Sequence, residues 1–512
     1  MRTAITVGGD PLTLDTLDAC LRQPLCLTLA EDGVGRARRC RERVETLTRR
    51  GDAIYGINTG FGHLKNKRIS NDDLGKLQHN LLISHAVGLG PPVPPEIVRW
   101  MLLLKMHSLL AGHSGVRPAL IERLGAWLDH DLLPVVPTRG SLGASGDLAP
   151  LAHMCLPLIG RGLMHPGGEP ALQRSGDAAQ REIGLEPIAL VAKEGLALIN
   201  GTQFMSAYAA NIAVRARRLL DFADLIVCMS LDSLRGSVQP MDPRMHQVRP
   251  HPGAIRSAAN IRRHMSGSEI LASHAGCSKV QDPYSLRCAP QVHGAVRDAL
   301  EHFCATIERE INSVTDNPIV FESSAHDGGI DAISGGNFHG EPLALVLDYL
   351  AIAMTDLANI SERRIYLLLE GEDELPTLLM QDTGLNSGFM LPQYTAAAML
   401  NECKVLATPA SIDSIPTSLG QEDHVSMGAT SAVKCYEILD RVETVFAIEM
   451  MCAAQALDFR DPLKPGVGPR AAREVIRKQI THADEDREFG DDIRAALRLL
   501  RENADLRAVS RC

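Results

Sequence analysis

Three glycines punctuate the stretch Gly140-Ser141-Leu142-Gly143-Ala144-Ser145-Gly146-Asp147. Three chemistries suit such a loop. Its backbone amides could cradle a phosphate, but it has neither a Gly-Lys-Ser/Thr ending nor a GxGxxG spacing. Ser145 could be a hydrolase nucleophile, but the strained elbow that exposes such a serine needs Gly two residues later, and position 147 is Asp. The third chemistry uses the chain itself. In Ala144-Ser145-Gly146 the amide nitrogen of Gly146 can attack the carbonyl carbon of Ala144, because glycine lets the two backbone segments come close. Loss of water closes a five-membered ring. Loss of the Ser145 hydroxyl then leaves an alkene, and the product is an imidazolinone electrophile.

Other loops carry polar, uncharged residues between Gly and Pro. They are Tyr55 to Gly62, Gln281 to Arg287, Ser334 to Gly340 and Gln421 to His424. The elements that must position them read as helices. Apolar residues recur at steps of three and four through Leu219, Phe222, Ile226 and Met229, and through Val296, Leu300, Phe303, Ile307 and Ile311. The same steps run through Val346, Leu350, Ala353, Leu357 and Ile360, and through Ile438, Val442, Val445, Ile448 and Cys452. That spacing lines one face of a helix. Several of these segments are apolar on more than one face, which predicts burial in a bundle or between subunits. The stretch Gly160 to Gly176, with Pro166, Gly167, Gly168 and Pro170, predicts an exposed excursion.

Composition narrows the class. The 512 residues are 45% apolar and 22% charged, with a net charge of −10. That apolar share excludes a disordered chain, and the negative balance argues against a nucleic-acid partner. The twelve cysteines form no CxxC pair, which excludes a zinc ribbon or a thioredoxin-type motif. Cys228, Cys304 and Cys452 fall in apolar helical stretches, as buried thiols in a reducing compartment do. The first residues hold no apolar signal core, and no uninterrupted run of about 18 apolar residues is present. The expectation is a cytoplasmic protein without a membrane span.

The segment GSLGASGDLAPLAH at 140–153 resembles the prosthetic-group segment of the histidine and aromatic amino-acid ammonia-lyases. The other loops match that family in the same order: YGINTGFG at 55–62, Ser84-His85, Asn200-Gly201-Thr202-Gln203, QDPYSLRC at 281–288, TDNP at 315–318, SGGNFHGEP at 334–342, SERR at 361–364, GLNSGFM at 384–390 and QEDHVSMG at 421–428. The resemblance implies a mainly α fold, a long-helix bundle of the ammonia-lyase (fumarase/aspartase-like) type. Its N-terminal region, 1–205, would carry the prosthetic loop, and 206–512 would form the central and C-terminal bundle. Ala144, Ser145 and Gly146 would become 4-methylideneimidazole-5-one (MIO), with no metal and no external cofactor.

The family removes ammonia across the Cα–Cβ bond of an amino acid. The resemblance gives Tyr55 the role of base for the weakly acidic β-proton. A tyrosine's ordinary pKa near 10 must fall for it to act so near neutrality. Tyr284 would hydrogen-bond around MIO and the amine. Arg287 would grip the carboxylate with its planar guanidinium. Asn200 would hold the carboxylate and the MIO carbonyl, with Gln281 nearby, and Phe338 would pack near MIO. His85 (after Ser84), Met390 and Glu422 resemble the histidine-specific set. A carboxylate and a histidine can both bond imidazole nitrogens, and a benzene ring would leave them unpaired. The chain departs from the bacterial histidine-lyase pattern at Ser418-Leu419-Gly420. The implied reaction is that of a carbon–nitrogen lyase, L-histidine to trans-urocanate and ammonia. The alternative is the same fold acting on tyrosine or a modified histidine, as a lyase or a 2,3-aminomutase. A non-catalytic relative is the alternative from another class. The implied partners are a small amino-acid substrate and three further copies, in a homotetramer whose active sites are shared between subunits.

Overall fold

Four long helices organise the chain: Gln203–Ser233, Ala289–Glu310, Glu341–Leu369 and Gly428–Asp458. The computed structural model describes residues 3–20, 25–50, 53–60, 67–277, 279–323 and 329–511. Phe61 and Gly62, from the first loop singled out above, and Cys512 lie outside these residues. All members of the four apolar series but Ile311, one residue past Glu310, fall on the four helices, and nearly all are buried. Phe222, Ile226, Phe303, Ile307, Leu350 and Val445 are among them. The fold is mainly α.

By their contacts the residues divide into two units. The first takes residues 1–214, 304–348 and 409–433. It holds short strands as well as helices. Thr3–Val7 pairs in parallel with Leu25–Leu29, and Leu89–Pro92 pairs antiparallel with Pro137–Arg139. The helix Pro95–Leu110 runs through its core, with Ile97, Trp100, Met101 and Leu103 fully buried. Pro95 starts it, where a fixed φ suits the first turn and the missing N–H costs nothing. The stretch 160–176 is not simply an exposed excursion. Leu163–Pro166 is a strand between Leu132–Pro134 and Arg174–Ser175, with Met164 and His165 buried. Gly167 and the stretch from Glu169 to Ser175 are exposed, as the loop signal suggests.

The second unit takes residues 215–303, 349–408 and 434–512. It carries paired charges in its interior. Arg364 and Glu449 are both fully buried, with Nη2 donating to Oε2 at 2.8 Å. Ser230 and Ser361 donate to the same carboxylate at 2.7 and 2.6 Å. Burial pushes the Asp224 carboxyl up, but Arg297 and His293 outweigh it and hold it below the usual range.

By length and composition the helix Glu341–Leu369 is apolar enough to cross a membrane, although it has no uninterrupted apolar run. Of its most apolar window, 67% is buried inside the protein, as in a core helix.

Candidate active site

The first unit encloses a cavity of about 1090 Å³. Tyr55, His85, Ala144, Ser145, Asn200, Phe338 and Glu422 all face it. Seven residues spread over nearly 370 positions therefore meet at one place. Each arrives on a defined element. Tyr55 lies in the loop after Glu31–Arg50. His85 ends the helix Leu74–His85, and Asn200 caps Glu194–Ile199.

The tripeptide lies in a tight turn. Gly146 has φ +73°, and a Cβ there would fall 2.2 Å from the Gly201 carbonyl oxygen and 2.5 Å from its carbon. Only glycine fits. The next amide, Asp147 N–H, donates to that oxygen at 2.7 Å. Asp147 is fully buried between two helix starts. It precedes Leu148–Cys155, and its Oδ2 accepts from Met205 N–H at 3.0 Å in the first turn of Gln203–Ser233. Ser141 donates to its other oxygen at 3.0 Å. Burial pushes this carboxyl up to about 7, against the pull of those donors.

Ser145 Oγ donates to Glu422 Oε1 at 2.8 Å, and Thr417 donates to Oε2 at 2.8 Å. Both carboxylate oxygens thus act as acceptors. His85 Nδ1 is 2.9 Å from the Leu81 carbonyl, which can only accept, so Nδ1 carries the proton and Nε2 keeps its lone pair. Burial lowers the His85 pKa, while Leu81 and the Glu422 charge raise it less. The ring is therefore a neutral acceptor near neutral pH.

Asn200 is held from several sides. Its Nδ2 donates to the Asn317 carbonyl at 3.0 Å, with Asp316 Oδ1 at 3.5 Å. Its own carbonyl accepts from Lys105 Nζ at 2.6 Å. Among the described residues, its buried Oδ1 has no partner. Burial pulls the Lys105 ammonium down to about 8, against the opposing charge of Asp316. Sequence reasoning passed over Lys105, although a lone lysine inside Leu102-Leu103-Leu104-Lys105-Met106 was a visible signal. It also left TDNP at 315–318 without a role, and gave Asp147 none.

His339, Glu341 and His424 also come together, their polar atoms within 4.8 Å of one another. The His339 ring is occupied by backbone, with Nδ1 accepting from Glu341 N–H at 3.3 Å and Nε2 lying 3.5 Å from the His424 carbonyl.

Gln281, Tyr284, Arg287 and Met390 belong to the second unit, and none is among the described residues facing this cavity. Tyr284 is 70% exposed, and the Arg287 guanidinium stacks 4.4 Å over its ring.

Such a helical scaffold, presenting an Ala-Ser-Gly turn to a cavity, defines a class. The chain belongs to the aromatic amino acid lyase family, whose sequence model matches residues 12–478. It is 49% identical to histidine ammonia-lyase of Gloeobacter violaceus over 507 residues, 99% of this chain and 97% of that one. The crystal structure of histidine ammonia-lyase from Trypanosoma cruzi superposes with a TM-score of 0.91 at 38% identity, over 99% of this chain and 95% of that one. Tyrosine aminomutase from Streptomyces globisporus superposes with a TM-score of 0.92 at 33% identity, over 100% of this chain and 99% of that one.

Proposed function

We infer that this chain is a carbon–nitrogen lyase that converts L-histidine to trans-urocanate and ammonia. The observation that carries this reading is the 2.8 Å bond from Ser145 to Glu422 in a cavity shared with His85. It sets the cyclisable tripeptide beside acceptors that suit the N–H of an imidazole ring. The residues fit MIO: Gly146 leaves room only for backbone against Gly201, and the tripeptide and Asn200 line the same cavity. Once formed from Ala144, Ser145 and Gly146, the group supplies an electrophilic alkene that draws electrons from the substrate.

The chain's own residues do the rest. His85 Nε2 or the Glu422 carboxylate accepts the single N–H of the neutral imidazole, a hydrogen that a benzene ring cannot give. Tyr55 Oη takes the β-proton, the amine leaves from Cα, and the electron pair of the broken C–H bond becomes the new double bond. Phe338 walls the cavity beside the tripeptide. Arg287 takes the carboxylate, and Gln281, Tyr284 and Met390 complete the site, supplied by neighbouring subunits of a homotetramer. Two facts support that assembly. The cavity is larger than one amino acid needs. Leu345, Tyr349 and Ile352 also expose an apolar stripe at i, i+4 and i+7 on Glu341–Leu369. The described cysteines are free thiols, which supports a cytoplasmic setting.

The test is intact mass and absorbance. The mass should fall two waters short of the sequence, and L-histidine should yield urocanate. A full sequence mass would sink the mechanism. The likeness to a tyrosine aminomutase favours a second reading, in which tyrosine and not histidine is consumed. Parallel incubation with L-tyrosine separates the two.

A further inference from the structure

We propose that the buried Lys193–Asp316 pair and the segment Thr315-Asp316-Asn317 form a positioning frame for Asn200, turning its amide so that Oδ1 meets the substrate's amine. This rests on the reading of the cavity as an amino-acid lyase site. The frame begins with an unusual lysine. Lys193 is fully buried and has φ +74°, a conformation that side-chain-bearing residues rarely adopt. Its Nζ donates to Asp316 Oδ2 at 2.7 Å and lies 3.5 Å from the Asn317 carbonyl. Asp316 is also buried, and its Oδ1 accepts from Asn317 N–H at 2.7 Å.

The segment so fixed takes up both hydrogens of the Asn200 amide, one on the Asn317 carbonyl and one toward Asp316 Oδ1. What remains is a carbonyl oxygen, buried and without a partner among the described residues. An acceptor suits an ammonium or amine N–H and not a carboxylate, which has no hydrogen to give. The same segment holds two other stretches of this chain. Thr315 Oγ1 accepts from Gln203 Nε2 at 2.9 Å, and Asn317 Oδ1 accepts from Gly335 N–H at 2.8 Å in the loop bearing Phe338. Lys105 fixes the Asn200 backbone independently. Stability alone does not call for this arrangement, because a buried ion pair can often be replaced by uncharged groups without loss.

The test is a Lys193→Met/Asp316→Asn double variant of the full chain, which leaves neither charge buried alone. It should show the same two-water mass deficit as wild type and melt within a few degrees of it. Its kcat on L-histidine should fall roughly ten- to a hundredfold, with KM changed less than about threefold. In an Asn200→Ala background, the same double change should cost less than about twofold more, because the frame acts through Asn200. A double variant with kcat within about twofold of wild type, one whose loss is undiminished in the Asn200→Ala background, or one that does not fold assigns the pair to stability and overturns the inference. A wild type that releases no urocanate fails the reading of the site instead, and the coupling is then read on whichever amino acid it consumes.

Discussion

A methyl group at Gly146 is the sharpest perturbation the site offers. In Gly146→Ala the new Cβ would fall 2.2 Å from the Gly201 oxygen and 2.5 Å from its carbon. Neither atom belongs to a flexible side chain. The Gly201 carbonyl is also tied by Asp147 N–H at 2.7 Å, so it cannot simply turn away. An alanine at φ +73° costs about 1–2 kcal/mol on conformational grounds. Overpacking against fixed neighbours adds about 1–3 kcal/mol. The sum, about 2–5 kcal/mol, is a large share of the stability of an ordinary domain. A chain this long unfolds with an entropy of about 1 kcal/mol per degree, so the melting midpoint should fall by about 2–5 °C. Displacing this backbone also moves the Gly146 nitrogen from the Ala144 carbonyl, so the two-water mass deficit should vanish along with urocanate production. Calorimetry and intact-mass measurement on one preparation read both effects. A Gly146→Ala chain that matures fully and melts within a degree of wild type would refute the reasoning.

Glu422→Gln should still mature, because an amide oxygen can accept from Ser145. It should lose roughly ten- to a hundredfold in kcat/KM on histidine, through loss of a charged acceptor, and equal turnover would remove Glu422 from substrate recognition. Asp147 titrates near 7 in the folded chain against an ordinary value of 3.8, so the fold binds its proton more tightly than the unfolded chain does. Its contribution is complete below about pH 4 and is lost as pH rises through 7. Relative to Asp147→Asn, wild-type stability should therefore fall by a few kcal/mol over that window, and parallel denaturation curves across pH would expose a flat difference. Arg364→Met strands Glu449 as a fully buried charge and should cost about 3–5 kcal/mol, which a denaturant midpoint reads directly.

Much of the helical scaffold was legible because periodicity is a local signal. Val442, Val445 and Ile448 declare a buried face within two helical turns. The discontinuous units were not legible, since residues 304–348 and 409–433 join the first unit through contacts that no spacing along the chain records. The strand Leu163–Pro166 was hidden for a related reason. Its partner Leu132–Pro134 lies some thirty positions earlier, and the glycines beside it speak louder than a four-residue strand. At the site, the reactive residues stood out by type, whereas Lys193 and Asp316 did not. A lysine and an aspartate more than 120 positions apart look like two solvated charges until the fold buries them together.

The bond between Ser145 and Glu422 has a consequence for timing. It exists only while Ser145 keeps its hydroxyl. If Ser145 matures as proposed, its oxygen leaves as water and Glu422 Oε1 loses this donor as the electrophile forms. The serine would thus hold the place that the substrate's imidazole would take, and the step that arms the site would free its carboxylate oxygen. One hydroxyl would thus couple the two events.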